Sequence, residues 1–222
     1  MSASTYRRVI ISMVVVIIIF SGLVLWVGIA FQHSSEEFQL QEQLRCERWI
    51  AEQKDALLAG TQHRVHFYSS CDTDELVSEF AGMPEIQSLT FELTDLSNDG
   101  MKIIADLPSL SELTLYGGNP CVGDAGLELL AGKQSIKNLK LINTDVTDGG
   151  LRTLSSLPAL TDLTLYYESF RKTTLTDGAV RHLSKLGELK KLNISGGWMS
   201  EEAIGKLRLA LPNCEITTDA QW

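Results

Sequence analysis

One spacing of large apolar residues recurs through most of the chain after residue 60. The frame places large apolar side chains at its first, fourth and sixth positions, with mostly polar residues between them. Five copies start 24 to 29 residues apart, at Ile86-Leu89-Phe91, Leu110-Leu113-Leu115, Ile136-Leu139-Leu141, Leu160-Leu163-Leu165 and Leu189-Leu192-Ile194. Less regular copies stand before and after them, at Val65-Phe67 and Leu211-Cys214-Ile216. Short alternating segments at a steady period predict seven strands of a repeat array.

A second motif follows each strand and predicts the start of a helix. Its clearest copies are Val146-Thr147-Asp148-Gly149-Gly150-Leu151 and Leu175-Thr176-Asp177-Gly178-Ala179-Val180, with looser forms at 96–101, 122–127 and 199–204. The hydroxyl can accept from a free helix amide, and the acid complements the positive helix end. Small residues let the helix approach the strand. Each repeat is therefore predicted as strand, turn, helix, turn, giving an α/β solenoid with a parallel sheet inside and helices outside.

The two motifs together resemble the leucine-rich repeats of the ribonuclease-inhibitor-like and cysteine-containing subfamilies, including membrane-anchored bacterial forms. The resemblance covers residues 61–217 and extends to Leu-Pro at 107–108, 157–158 and 211–212. It implies a curved array that binds proteins on its concave face. Thr144 stands where the cysteine-containing subfamily often has Cys or Asn. No F-box-like segment precedes the repeats, which argues against the ubiquitin-ligase adaptor function of similar eukaryotic repeats.

An uncharged apolar run from Val9 to Phe31 predicts a single transmembrane helix. At 1.5 Å per residue it would reach roughly 35 Å, enough for a hydrocarbon core of about 30 Å. A secretory signal peptide is the alternative, but its apolar part usually spans only about 7 to 15 residues. Arg7 and Arg8 place the tail 1–8 in the cytoplasm, and the repeats then face the periplasm or the cell exterior.

The segment 32–60 is predicted to be a helical stalk that caps the first repeat, because it lacks Pro and Gly until Gly60 and a terminal core layer must be covered. A dimerising helix is the alternative. Cys46 lies in this segment and could form a disulfide with Cys71 in an oxidising compartment. Residues 218–222 form a short tail.

Charge and motifs narrow the function classes. The formal net charge of −9 argues against nucleic acid as a partner. No phosphate loop, dinucleotide fingerprint, metalloprotease motif or nucleophile elbow occurs in the sequence, so we expect no catalytic residues and no cofactor. His63, His66 and Cys71 are interpreted as strand and loop residues, because His63 and His66 would point to opposite faces of one strand. No metal site is expected.

Positions between the large frame residues should point out of the concave sheet, by the alternation of strands. Tyr116, Ile142 and Tyr166 then stand side by side on three strands, beside a row with Lys140 and Thr164. The loop after the strand of Tyr166 is longer than in repeats one, three and five, and Tyr167, Phe170 and Arg171 are its candidate contacts. Plain β-forming surface residues and a loop without function are the alternatives.

These observations favour a membrane-anchored protein-binding module. A structural scaffold within a membrane complex is the second hypothesis, and an enzyme of an undescribed type is the third. Aromatic side chains on an exposed sheet support the first, because Tyr is enriched at protein interfaces.

Overall fold

A computed structural model describes residues 40–68, 73–117, 122–168 and 174–218 of the protein. The predicted transmembrane run 9–31, the tail 1–8 and the loop residues Phe170 and Arg171 lie outside these ranges. In the described ranges, no helix combines the length and the apolar character needed to cross a bilayer.

Strands alternate with short helical segments along the described chain. Residues 40–58 are helical and are called α1. The strands are β1 (Arg64–Tyr68), β2 (Ser88–Glu92), β3 (Glu112–Tyr116), β4 (Asn138–Ile142), β5 (Asp162–Tyr166), β6 (Lys191–Ser195) and β7 (Glu215–Thr218). The α-helices between them are α2 (Thr73–Ser78), α3 (Asn98–Asp106), α4 (Asp124–Glu128), α5 (Val180–Leu183) and α6 (Glu201–Ala210).

The strands form one parallel sheet in the order β1 to β7. Each strand pairs with the next in a register that superimposes the repeated frame, so that Leu113 pairs with Leu139 and Leu139 with Leu163. Parallel neighbours require a crossover, and the helical segments supply it. The predicted α/β class, the parallel sheet and the seven strands are confirmed.

Two crossovers differ from the predicted outer helices. Residues Gly150–Ser156 form a 3₁₀-helix, and Asp177–Ala179 form a 3₁₀ turn that leads into α5. Glycine lowers α-helix propensity by about 1 kcal/mol relative to Ala, and Gly149 and Gly150 stand together where the first of these helices starts. The outer layer is therefore shorter and tighter there than a row of regular α-helices.

The frame residues build a continuous apolar core between sheet and helices. Leu113, Leu139 and Leu163 are each at most 1% exposed. Large apolar side chains buried at this level contribute roughly 1.5–3 kcal/mol each. Burial of the frame positions therefore explains why leucine recurs at a regular spacing along the chain.

An aromatic cluster closes the core at the first repeat. Phe67 on β1 stacks on Phe91 of β2, with ring centroids 4.7 Å apart. Trp49, on the part of α1 that belongs to the same compact unit as the repeats, packs edge-on against Phe67 and Phe80 at 5.4 and 6.3 Å. Leu57 of this helix is fully buried. Residues 49–57 thus cover an apolar layer that has no preceding strand in the described sheet.

The helix-start motif also links neighbouring repeats, a role that was not predicted. An aspartate of one repeat accepts hydrogen bonds from the backbone N–H and the side-chain hydroxyl of the Ser or Thr one repeat later. Asp124 accepts from Thr147 N and Oγ1, both at 2.7 Å. The pairs are Asp74 with Ser97, Asp124 with Thr147, Asp148 with Thr176 and Asp177 with Ser200. These four pairs are called the aspartate ladder.

The ladder explains one glycine of the motif. A Cβ at Gly150 would overlap the Asp124 carboxylate, so the glycine leaves room for this carboxylate in its present position. The ladder is interrupted where Asn98 faces a repeat that carries Gly123 in place of Ser or Thr, and Gly123 makes no side-chain cap. The motif therefore stabilises the stacking of repeats as well as the starts of their helices.

Candidate functional site

The face of the sheet that points away from the helices, called the open face, carries three rows of side chains. The register aligns one residue of each strand in every row. The first row is Arg64, Ser88, Glu112, Asn138, Asp162, Lys191 and Glu215. The second row is His66, Thr90, Thr114, Lys140, Thr164, Asn193 and Thr217. The third row is Tyr68, Glu92, Tyr116, Ile142, Tyr166 and Ser195.

The third row contains an apolar and aromatic stripe. Tyr116, Ile142 and Tyr166 are direct neighbours on β3, β4 and β5, and each is partly exposed. Adjacent strands lie about 4.8 Å apart, so the outer two Cα atoms are separated by roughly 10 Å. The row ends at Ser195, which is 1% exposed. The register therefore brings together the three residues that the sequence predicted as neighbours.

Leu93 is a large exposed apolar residue at the end of β2 that the sequence analysis did not identify. It follows Glu92 directly, is 56% exposed and adopts a left-handed conformation with φ of 52°. In the next two repeats the equivalent positions, Gly117 and Asn143, have φ of 53° and 54°. Gly and Asn tolerate this region, whereas a bulky residue there is a strained outlier. The available signal was a leucine where other repeats have Gly or Asn.

The second row is mostly threonine, with one cation at its centre. Lys140 on β4 is exposed, and no salt bridge or hydrogen bond joins its ammonium to another described residue. A depression of about 470 Å³ over β1 to β4 and another of about 270 Å³ over β4 to β7 both reach Lys140 and Asn138. Thr164 lines the second depression. Lys140 therefore stands where the two depressions meet.

The first row is mostly charged, and the sequence analysis did not identify it. Arg64 lies 3.6 Å from Glu112, two strands away, in an exposed ion pair. Asp162, Lys191 and Glu215 continue the row with alternating signs. The same strand alternation, extended two residues towards the start of each strand, would have predicted this row. An exposed pair of this type contributes about 0–1 kcal/mol, so the row bears on partner selection more than on stability.

One hydrogen bond joins two side chains at the edge of the open face near β1. His66 Nε2 lies 3.1 Å from Glu92 Oε2, and the His66 ring stacks on Tyr68 at 4.0 Å. Tyr68 remains 59% exposed. Glu92 therefore interrupts the apolar third row between Tyr68 and Tyr116, with its carboxylate directed to the second row.

Tyr167 is not on the open face. Its side chain is 2% exposed, and its hydroxyl hydrogen-bonds to Thr144 Oγ1 at 3.0 Å. Its ring packs edge-on against Trp198 at 6.2 Å. Burial raises the pKa of the Tyr167 hydroxyl to about 12. The sequence placed Tyr167 among the contact residues, but it belongs to the core, because it follows the outward-facing Tyr166 and so points inward.

Two cysteines have described states. Cys46 is disulfide-bonded, and the predicted pairing with Cys71 lies outside the described residues. Cys214 is free and partly buried, and burial raises the pKa of its thiol. Within the described ranges, no three His, Cys, Asp or Glu side chains are grouped closely enough to hold a metal ion.

No protein-family model matches the chain, and no curated protein matches it. By its structure the protein is an α/β repeat protein with a solenoid-like arrangement, in which successive strands extend one parallel sheet. The open face of that sheet is its candidate interaction surface.

Proposed function

We propose that the protein is a membrane-anchored leucine-rich-repeat protein that binds another protein on the open, concave face of its sheet. The stripe of Tyr116, Ile142 and Tyr166 is the observation that carries the proposal. Its residues are aligned on three adjacent strands and are partly exposed. Aromatic residues supply much of the binding energy at protein interfaces.

The strained Leu93 supports the same surface. A left-handed, exposed leucine costs roughly 1–2 kcal/mol in the folded state relative to glycine. Its side chain stands beside Gly117, so it adjoins the repeat that carries Tyr116. A residue that lowers stability while exposing a large apolar side chain is better explained by contact with a partner than by folding.

The size of the face constrains the partner. Seven strands, each about 4.8 Å wide, and three rows, each about 6.6 Å deep, give a surface of roughly 34 by 20 Å. A standard protein interface buries about 800 Å² per partner. The open face alone is slightly smaller than that, so it suits a partner segment or a narrow protruding element.

The membrane assignment rests on the uncharged run Val9–Phe31 and the preceding Arg7 and Arg8. We expect the protein to remain in the membrane pellet after alkaline carbonate extraction, and a variant that lacks residues 1–31 to be released. Proteolysis of intact spheroplasts should digest the repeats of the full chain. Release of the full chain by carbonate would contradict the anchor.

Site-specific photo-crosslinking tests the binding proposal. In this experiment, a photoreactive phenylalanine analogue replaces Tyr116 or Tyr166 in the full chain. The variants are expressed in cells of the organism that produces the protein. Arg152, an exposed residue on the outer helical side, is the matched control position. We expect a discrete adduct with another protein from the two tyrosine positions and none from Arg152. Absence of adducts at both tyrosines, or the same adducts at all three positions, would overturn the proposal.

A structural scaffold is the second candidate. Leu209 on α6 is 85% exposed, and β7 pairs only with β6 among the described strands. Both features lie at the last repeat and could join a second copy or a neighbouring protein. Light scattering of the full chain in detergent tests the self-associating form of this candidate, because a strict monomer excludes it. Crosslinking from position 209 but from neither tyrosine would favour a scaffold that joins a neighbouring protein.

A further inference from the structure

We propose that the partner presents a carboxylate to Lys140 while its apolar side chains lie on Tyr116, Ile142 and Tyr166, an inference that rests on the proposed function and names the chemistry of its ligand. The open face therefore selects an acidic, apolar segment of protein. The argument depends on the charges around Lys140 and on the distance between the second and third rows.

Lys140 is the one cation that the second row places between neutral neighbours. Thr114 and Thr164 flank it on β3 and β5, and Asn138 and Ile142 precede and follow it on the same face of β4. Within the described chain, no hydrogen bond engages the hydroxyl of Thr114 or Thr164. The ammonium and two hydroxyl donors thus face the same space, a combination that suits a carboxylate.

The nearest acids of the open face have other partners. Glu112 pairs with Arg64 at 3.6 Å, and Asp162 accepts a hydrogen bond from Thr161 Oγ1 at 2.7 Å. Glu92 lies beside His66 at 3.1 Å. None of these carboxylates is within 4 Å of Lys140 in the described structure, so the charge of Lys140 is available to a ligand. Its exposed position means that an arriving carboxylate displaces only water.

The row spacing defines the footprint. Lys140 and Ile142 are two residues apart on one strand, so their side chains stand roughly 6.6 Å apart. The apolar stripe extends about 5 Å to either side of Ile142. A carboxylate about 7 Å from the centre of an apolar group fits two side chains at positions i and i+2 of an extended segment. Neighbouring side chains on one helix face, about 5–6 Å apart, fit nearly as well.

A displayed library of random twelve-residue peptides tests the inference. The baits are the full chain in detergent and its variants Lys140→Glu, Lys137→Glu and Tyr116→Ser with Tyr166→Ser. Lys137 is an exposed lysine that immediately precedes β4, so its variant matches the change in net charge. Circular dichroism verifies that each variant keeps the fold of the wild type.

The expected result is enrichment of peptides with Asp or Glu next to large apolar residues on wild type and on Lys137→Glu. Lys140→Glu should lose these peptides, with affinity lower by roughly tenfold or more, and should favour basic peptides. The double tyrosine variant should lose both classes.

Two outcomes would overturn the inference in distinguishable ways. If Lys140→Glu enriches the same peptides as wild type while the double tyrosine variant does not, the proposed binding face stands and the acidic partner is refuted. If wild type enriches no peptide family, both this inference and the proposed peptide-binding mode of the open face fail.

Discussion

Replacing Asp124 by alanine tests whether the aspartate ladder holds the repeats together. Asp124 accepts from the backbone N–H and the Oγ1 of Thr147 in the next repeat, each at 2.7 Å. The variant removes both bonds without changing the apolar core. It also removes the carboxylate that requires glycine at position 150.

The expected loss is about 2 kcal/mol of unfolding free energy. Hydrogen bonds to charged groups contribute roughly 1.5–3 kcal/mol each. Asp124 is partly exposed, and water can replace it as the acceptor, so the two bonds together should contribute about as much as one such bond. For a domain of this size, such a loss lowers Tm by roughly 4–8 °C.

Urea unfolding of the full chain in detergent, followed by circular dichroism, measures this loss. Thr147→Ala and the double variant complete a cycle, and we expect a coupling energy of about 1 kcal/mol between the two residues. Asp99→Ala is the matched control, because Asp99 is exposed and its carboxylate, among the described residues, pairs with Lys102 of the same helix and with no other repeat. Equal losses for Asp124→Ala and Asp99→Ala, or additive single variants, would refute the ladder as a source of stability.

Three further predictions concern single features of the repeats. Leu93→Gly should raise the unfolding free energy by about 1 kcal/mol, because glycine relieves the left-handed strain. Leu93→Ala keeps the strain and should not raise it. A lower unfolding free energy for Leu93→Gly in urea unfolding would contradict this reasoning. Asn98→Asp combined with Gly123→Thr should complete the ladder and raise Tm by roughly 2–4 °C in a thermal melt. Gly123 has an extended backbone that accepts any side chain. An unchanged or lower Tm would argue that the interruption of the ladder has another cause. Hydrogen bonds from the backbone amide and the hydroxyl of Ser200 hold the pKa of Asp177 below its usual value, so their stabilisation is fully present above that usual value and is lost as pH falls through the lowered pKa. Tm measured from pH 6 to pH 2 should therefore decline less steeply in Ser200→Ala than in wild type, and parallel declines would count against the linkage.

The sequence alone determined the number of strands, their parallel order and their register. These features follow from one apolar frame repeated at a nearly constant period, and a one-residue slip would turn every leucine out of the core. The alignment of Tyr116, Ile142 and Tyr166 on adjacent strands follows from the same constraint. Local alternation thus determined both the core and the rows of the open face.

Only the tertiary structure decided what individual side chains do where the repeats differ from one another. Tyr167 becomes a core residue because Thr144 and Trp198, distant in sequence, provide a hydrogen bond and a packing surface for it. Leu93 adopts a left-handed conformation, and its N–H donates a hydrogen bond to Tyr116 O of the next strand. The aspartates of the helix-start motif were predicted to act within their own repeat, but four of them bond to the following one. Contacts between stacked repeats depend on three-dimensional spacing, which a single motif does not contain.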